Sequence, residues 1–119
     1  IDRVRKACER DSFVVRTFTE LERRQAGDKI SRFAGSFAVK EAVAKALGTG
    51  FRAFMPIDIE VARDELGKPY VNLYRGAKAL AHELGVERIE VSISNTAEHA
   101  MAFAVAEGAP RAGEKEVGG

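Results

Sequence analysis

The chain predicts an α+β domain in which an antiparallel sheet carries helices packed on one side. Two observations predict it. Apolar residues recur with a helical period as far as Gly50, whereas beyond Gly50 alternation takes over. The order along the chain is then helices, hairpin, helix, hairpin. At 119 residues the length fits one domain over 1–107, with 108–119 as a tail.

Ile1 to Arg10 reads as a first helix, with Ile1, Val4, Ala7 and Cys8 on one face. Asp11-Ser12 breaks it, and either residue is placed to cap a short turn carrying Phe13, Val14 and Val15. Thr19 and Glu22 have the capping-box spacing, in which each side chain satisfies a backbone N–H of the other. That helix runs to about Ala26 and stops at Gly27, after which Asp28 or Ser31 is placed to cap the main helix. From Phe33 the main helix lays Phe33, Phe37, Ala44 and Leu47 along one stripe. Gly48-Thr49-Gly50 stops it, because glycine is favoured just past a helix end, where φ is positive.

Ile57-Asp58-Ile59-Glu60-Val61 alternates apolar and acidic residues, the pattern of a strand with one wet face. Asp64 to Pro69 makes a turn, and Tyr70 to Leu73 is the return strand. Gly76 to Leu84 is an amphipathic helix with Ala77, Leu80, Ala81 and Leu84 inward and Gly85 closing it. Ile89 to Ser94 and Ala100 to Ala106 read as strands joined by a polar turn from Ser94 to Glu98. Residues 108–119 are rich in Gly, Ala and charge and are expected to be disordered.

With 19 Lys and Arg against 18 Asp and Glu, the net charge of +1 argues against a nucleic-acid partner. The charge is uneven, however. Arg3, Arg5, Lys6, Arg10, Arg16, Arg23 and Arg24 crowd the first 24 residues. They suit either an acidic partner or a solvated helix face with internal ion pairs. The single cysteine, Cys8, forms no disulfide within the chain and fits a reducing cytosol. No apolar run approaches the roughly 18 residues of a spanning helix, so no membrane association is expected. No secretory leader is expected either.

Metal-binding Cys/His clusters, Walker loops and catalytic-triad patterns are missing from the sequence. The candidates for chemistry lie on the main helix. Glu41 falls on or beside its apolar stripe, where a lone carboxylate is costly and needs Lys40, Lys45 or a bound cation. Gly48-Thr49-Gly50, with Lys40 and Lys45 in the two turns before it, suits either an ordinary helix stop or an anion site. The end of a helix has the wrong partial charge for phosphate, so lysines and loop N–H groups would have to hold it. His82 is expected to be exposed, and His99, entering the last strand, to be structural.

Phe37-Ala38-Val39-Lys40-Glu41-Ala42 followed by Lys45-Ala46-Leu47-Gly48-Thr49-Gly50 resembles the signature of the holo-acyl-carrier-protein synthases. These are the small bacterial-type 4′-phosphopantetheinyl transferases. Arg16-Thr17-Phe18-Thr19, Asp58-Ile59-Glu60-Val61, Gly67-Lys68-Pro69 and Val91-Ser92-Ile93-Ser94 are similar to further blocks of the family, so the likeness covers about residues 1 to 107.

The resemblance implies a 4′-phosphopantetheinyl transferase-like fold and an enzyme. The family moves the phosphopantetheine arm of coenzyme A to a serine of apo acyl carrier protein and releases 3′,5′-ADP, in support of fatty acid biosynthesis in the cytoplasm. A non-catalytic module that holds coenzyme A or carrier protein is the alternative. Mg²⁺ is the implied cofactor, with Glu41 as a ligand and Glu41 and Lys45 as the catalytic pair. Lys40, Lys45, Gly48, Thr49, Gly50 and Asn95 are implied contacts of coenzyme A. Arg3 and Arg10 are implied to dock the carrier protein, and a homotrimer with interfacial sites is the implied assembly. Ile1-Asp2-Arg3-Val4 matches the family's Ile-x-Arg-Ile segment, so the second metal carboxylate, an Asp, is expected upstream of Ile1. Ser36 and Asn95 stand where many members have Arg and His.

Overall fold

A computed structural model of the protein describes residues 11–96 and 98–108. The predicted first helix, with Arg3, Cys8 and Arg10, lies outside the described residues, as do Ala97 and residues 109–119. Among the described residues three helices come first: α1 over Asp11–Thr17, α2 over Glu20–Ala26 and α3 over Ile30–Ala46. A hairpin of β1, Ile59–Arg63, and β2, Pro69–Leu73, follows. Then come α4 over Arg75–Leu84, β3 over Val86–Asn95 and β4 over Ala100–Gly108. Short 3₁₀ turns at Gly50–Arg52 and Pro56–Asp58 bridge α3 to β1.

The α+β class holds, but the strands form two antiparallel pairs, β1–β2 and β3–β4, rather than one hydrogen-bonded sheet. The helical layer lies against the inner face of the second pair. Ile89, Val91 and Ile93 of β3 and Ala102 and Ala104 of β4 pack against the core cluster that includes Val39, Val43 and Ala44 of α3. A second, aromatic cluster joins the first three helices: Phe18, Ala26 and Phe33, with Phe13, Val14 and Phe37 against them. The Phe18 and Phe33 rings meet edge to face with centroids 4.9 Å apart, a favoured arrangement for their quadrupoles.

Helix α3 therefore serves two cores at once. Its buried residues include Phe33 and Ala34 but also Gly35, Ser36, Val39, Lys40, Val43 and Ala44. A helix covered on most sides shows no clean stripe, and Phe37, placed on the predicted stripe, is only half-buried.

Several local expectations hold. Thr19 and Glu22 form the capping box, and Gly27 ends α2. Gly48 follows α3 with φ +88°, a conformation that favours glycine. Gly85, left-handed at φ 74°, closes α4. The Asp64 carboxylate accepts the Leu66 and Lys68 N–H groups and so builds the first hairpin turn.

Others are corrected. Helix α1 takes in Asp11 and Ser12 and makes about two turns, longer than the predicted short turn. Neither Asp28 nor Ser31 caps α3; Lys29 occupies that position with no side-chain hydrogen bond. Asp58 belongs to a 3₁₀ turn opened by Pro56, which delays β1 to Ile59. Leu84, predicted inward, is exposed because α4 ends there, beyond its packing contact through Ala77 and Ala81. Strand β4 continues through Gly108, the first residue of the predicted tail. The largest correction concerns the predicted wet face of β1. Asp58 and Glu60 are both buried.

Candidate active site

Those buried acids belong to a polar network behind the face of α3 that carries the candidate residues. Lys40 is 0% exposed and Glu22 3%. The Lys40 ammonium donates to Glu22 Oε1 at 2.8 Å, to the Pro56 carbonyl at 3.1 Å and to the Ile59 carbonyl. It also lies 5.4 Å from the Phe18 ring centroid, within cation–π range. Glu22 accepts the Thr19 N–H at 3.0 Å on one oxygen and the Val61 N–H at 3.1 Å on the other. Burial pushes the Glu22 carboxyl up and the Lys40 ammonium down, while their direct contact opposes both shifts. Lys40 thus spends all three donors inside the fold. That is not where the resemblance puts it, among the coenzyme phosphates.

Glu60 extends the network. Thr19 Oγ1 donates to it at 2.6 Å, Asn72 Nδ2 at 3.0 Å and the Tyr74 hydroxyl at 3.2 Å. Burial pushes the Glu60 carboxyl up, but these hydrogen bonds and the Lys40 charge outweigh it, so it titrates below the ordinary 4.5. The Glu60 charge in turn raises the Tyr74 hydroxyl. A carboxyl with a lowered folded pKa contributes stability that is present above pH 4.5 and lost as pH falls through the folded value. In urea melts of the protein and of Glu60→Gln, the gap in midpoint is therefore expected to be largest near neutrality and to narrow below pH 4.5. A gap constant from pH 7 to pH 3 would show that Glu60 has no such shift.

The outward side of α3 holds the remaining candidates. Glu41 is half-buried and Lys45, one turn later, is exposed. Among the described residues Glu41 makes no ion pair; Lys40 is committed to Glu22. Past Leu47 the chain turns through Gly48 and Gly50, both at positive φ, and Thr49 Oγ1 donates to the Gly50 carbonyl. At 1.5 Å per residue, Glu41 and Gly48 lie about 10 Å apart along the helix axis. Asn95 reaches the same helix nearer its start. It donates to the Ser31 carbonyl at 3.1 Å and flanks Gly35, where any Cβ would lie 3.3 Å from its side chain and 3.2 Å from Ile93. Glu41, Lys45 and the glycine loop therefore form one accessible edge of α3, and Asn95 lies roughly 9 Å from Glu41 along the axis.

His82 is exposed as expected. His99 lies in the turn before β4, where its N–H meets Thr96 Oγ1 at 3.0 Å. The sequence reading missed the inward network of Glu22, Glu60, Asn72 and Tyr74. Its one visible signal was Glu22 in the capping box.

A family model described as the 4′-phosphopantetheinyl transferase superfamily matches residues 1–104. The chain belongs to that family. It is an enzyme of the holo-acyl-carrier-protein synthase group within it. The holo-[acyl-carrier-protein] synthase of Lachnoclostridium phytofermentans is 55% identical over 107 residues, covering 90% of this chain and 88% of that protein. The crystal structure of the Helicobacter pylori holo-[acyl-carrier-protein] synthase in complex with coenzyme A superposes with a TM-score of 0.80. Identity is 29%, over 89% of this chain and 92% of that one. The Neisseria meningitidis synthase gives a TM-score of 0.79 at 35% identity, over 89% and 90% of the two chains. Among the described residues, no helix is long and apolar enough to cross a membrane.

Proposed function

We propose that the chain transfers the 4′-phosphopantetheine arm of coenzyme A to a serine of apo acyl carrier protein, with Mg²⁺, in the cytoplasm and in support of fatty acid biosynthesis. The observation that carries the reading is the edge of α3. A half-buried carboxylate without an ion-pair partner among the described residues, an exposed lysine one turn on and a glycine loop lie in sequence along one helix. The family match and the coenzyme A complex of the Helicobacter pylori relative support the assignment.

Glu41 fits a magnesium ligand. Mg²⁺ takes one or two carboxylates and completes its shell with substrate phosphates and water. A second carboxylate, the family's Asp, would come from upstream of Ile1. When bound, the ion neutralises pyrophosphate charge and polarises the phosphorus under attack.

This chain's residues do the rest. Lys45 draws the coenzyme's phosphates to the edge and neutralises charge on the departing 3′,5′-ADP. Gly48, Thr49 and Gly50 let the backbone approach the nucleotide. Asn95 offers an amide to the bound coenzyme near the start of α3. The serine oxygen forms a bond to the pantetheine-side phosphorus as the bridging P–O bond breaks. The serine proton passes to water or a carboxylate. Arg3 and Arg10 dock the acidic carrier. A homotrimer fits the outer face of β4, where Met101, Phe103 and Val105 are exposed in alternation and Phe103 reaches 66%. A contiguous apolar row of that kind marks an interaction surface.

The test is intact mass of apo carrier protein incubated with the chain, coenzyme A and Mg²⁺. The expected result is a gain of one phosphopantetheine arm, abolished by chelating the metal. No gain, from this chain or from one extended upstream of Ile1, would overturn the proposal.

A further inference from the structure

Helix α3 must present Glu41 at a fixed height and rotation, and its first turns are held by packing and by the Asn95 bond to Ser31, not by a side-chain cap. The N-cap position, Lys29, makes no side-chain hydrogen bond. What holds the helix at mid-length is Lys40. Its ammonium is tied to three separate pieces of chain: Glu22 of α2, the Pro56 carbonyl of the 3₁₀ turn and the Ile59 carbonyl at the start of β1. The anchor is itself anchored, since Glu22 is held by the N–H groups of Thr19 and Val61. Glu41 is the next residue, about 100° further round the helix.

We infer that Lys40 is a positioning residue for the transfer reaction: clamped by Glu22, Pro56 and Ile59, it sets the phase of the α3 turn that carries Glu41 and makes no contact with the coenzyme's phosphates. The inference rests on the proposed role of Glu41. A lysine that bound phosphate would need free donors on the accessible edge, and Lys40 is fully buried with its three donors satisfied. Displacing a reacting group by about 1 Å from a remote position costs on the order of 100-fold in rate, so loosening the clamp acts on turnover rather than on affinity.

Loss of Lys40 alone strands a buried carboxylate, so the test uses the paired variant Lys40→Met/Glu22→Gln. Lys40→Arg is measured beside it; it keeps the charge but replaces a three-point amine with a planar fork. The chain, or its form extended upstream of Ile1, is assayed with coenzyme A, carrier protein and Mg²⁺, and 3′,5′-ADP binding is measured by calorimetry. In folded variants kcat is expected to fall roughly 10- to 100-fold. KM for coenzyme A and Kd for 3′,5′-ADP stay within about twofold, the pattern of an interaction lost from the transition state rather than from binding. Lys45→Met, the comparator, raises the Kd for 3′,5′-ADP. Unchanged kcat in a folded variant would overturn the inference. So would a loss of 3′,5′-ADP affinity as large as that of Lys45→Met, which would make Lys40 a ligand contact. If neither the unaltered chain nor its form extended upstream of Ile1 transfers anything, the transfer reading fails on its own. Amide exchange over Val39 to Lys45 then decides the clamp: faster exchange in the paired variant supports it, and equal exchange removes it.

Discussion

Glu41→Gln is expected to reduce transfer by roughly 10³-fold or more while leaving the protein folded. In the proposed role Glu41 holds an ion that is worth several kcal/mol of transition-state charge stabilisation, and every 1.36 kcal/mol or so is a factor of about ten. Gln has the same shape and no charge. Glu41 is only half-buried and has no ion pair among the described residues, so its neutralisation strands no partner in the core. The change in stability should stay within about 0.5 kcal/mol, the usual range for a site of this kind. Turnover and the thermal midpoint are measured on the same preparation. Undiminished turnover would remove Glu41 from the metal, and a collapsed midpoint would make it structural.

Lys40→Met is expected to do the reverse, with its primary damage to the fold. Removing one partner of a buried ion pair costs about 3–5 kcal/mol, because the other charge is left uncompensated. Here the Pro56 and Ile59 carbonyls also lose a donor. Against a total stability of about 5–15 kcal/mol, that lowers the thermal midpoint by roughly 10–25 °C for a chain of this size. Differential scanning calorimetry at neutral pH checks it. A shift of less than about 5 °C would mean that water or a neighbouring side chain replaces the lysine. Adjacent residues of one signature are thus expected to fail in different ways, Glu41 in chemistry alone and Lys40 in stability first, with turnover reduced in whatever stays folded.

That separation marks how far the sequence could be read. The Lys-Glu-Ala block and the glycines after it pointed to the family, and local signals were enough for the capping box at Thr19 and the stop at Gly48. Period and spacing could not say which of two adjacent polar residues faces inward. Helix α3 lies between two cores and has no single wet side, so the usual link between charge and exposure breaks down for Lys40. The same limit misled the reading of β1. Alternation of Asp58, Glu60 and apolar residues means a wet face only when nothing polar covers it. Here Arg75 meets Asp58 at 2.6 Å, and Thr19, Asn72 and Tyr74 surround Glu60. Those partners lie 12 to 41 residues away from the acids they meet, beyond the reach of a pattern read in short windows.

The position of Lys40 also governs how the molecule comes apart. Its charged end lies over Phe18 of the aromatic cluster and is bonded to Ile59 of the larger core. Pulling α2 off the body would leave an ammonium and a carboxylate facing each other's absence in a dry interior. No partly opened form with one cluster intact and the other dissolved escapes that penalty until water reaches both charges. The helical front and the hairpin body are therefore joined in one cooperative unit. Slowly exchanging amides in α2, α3 and β1 should open together, at the free energy of global unfolding, and α2 is no detachable appendage to the edge of α3 that carries Glu41.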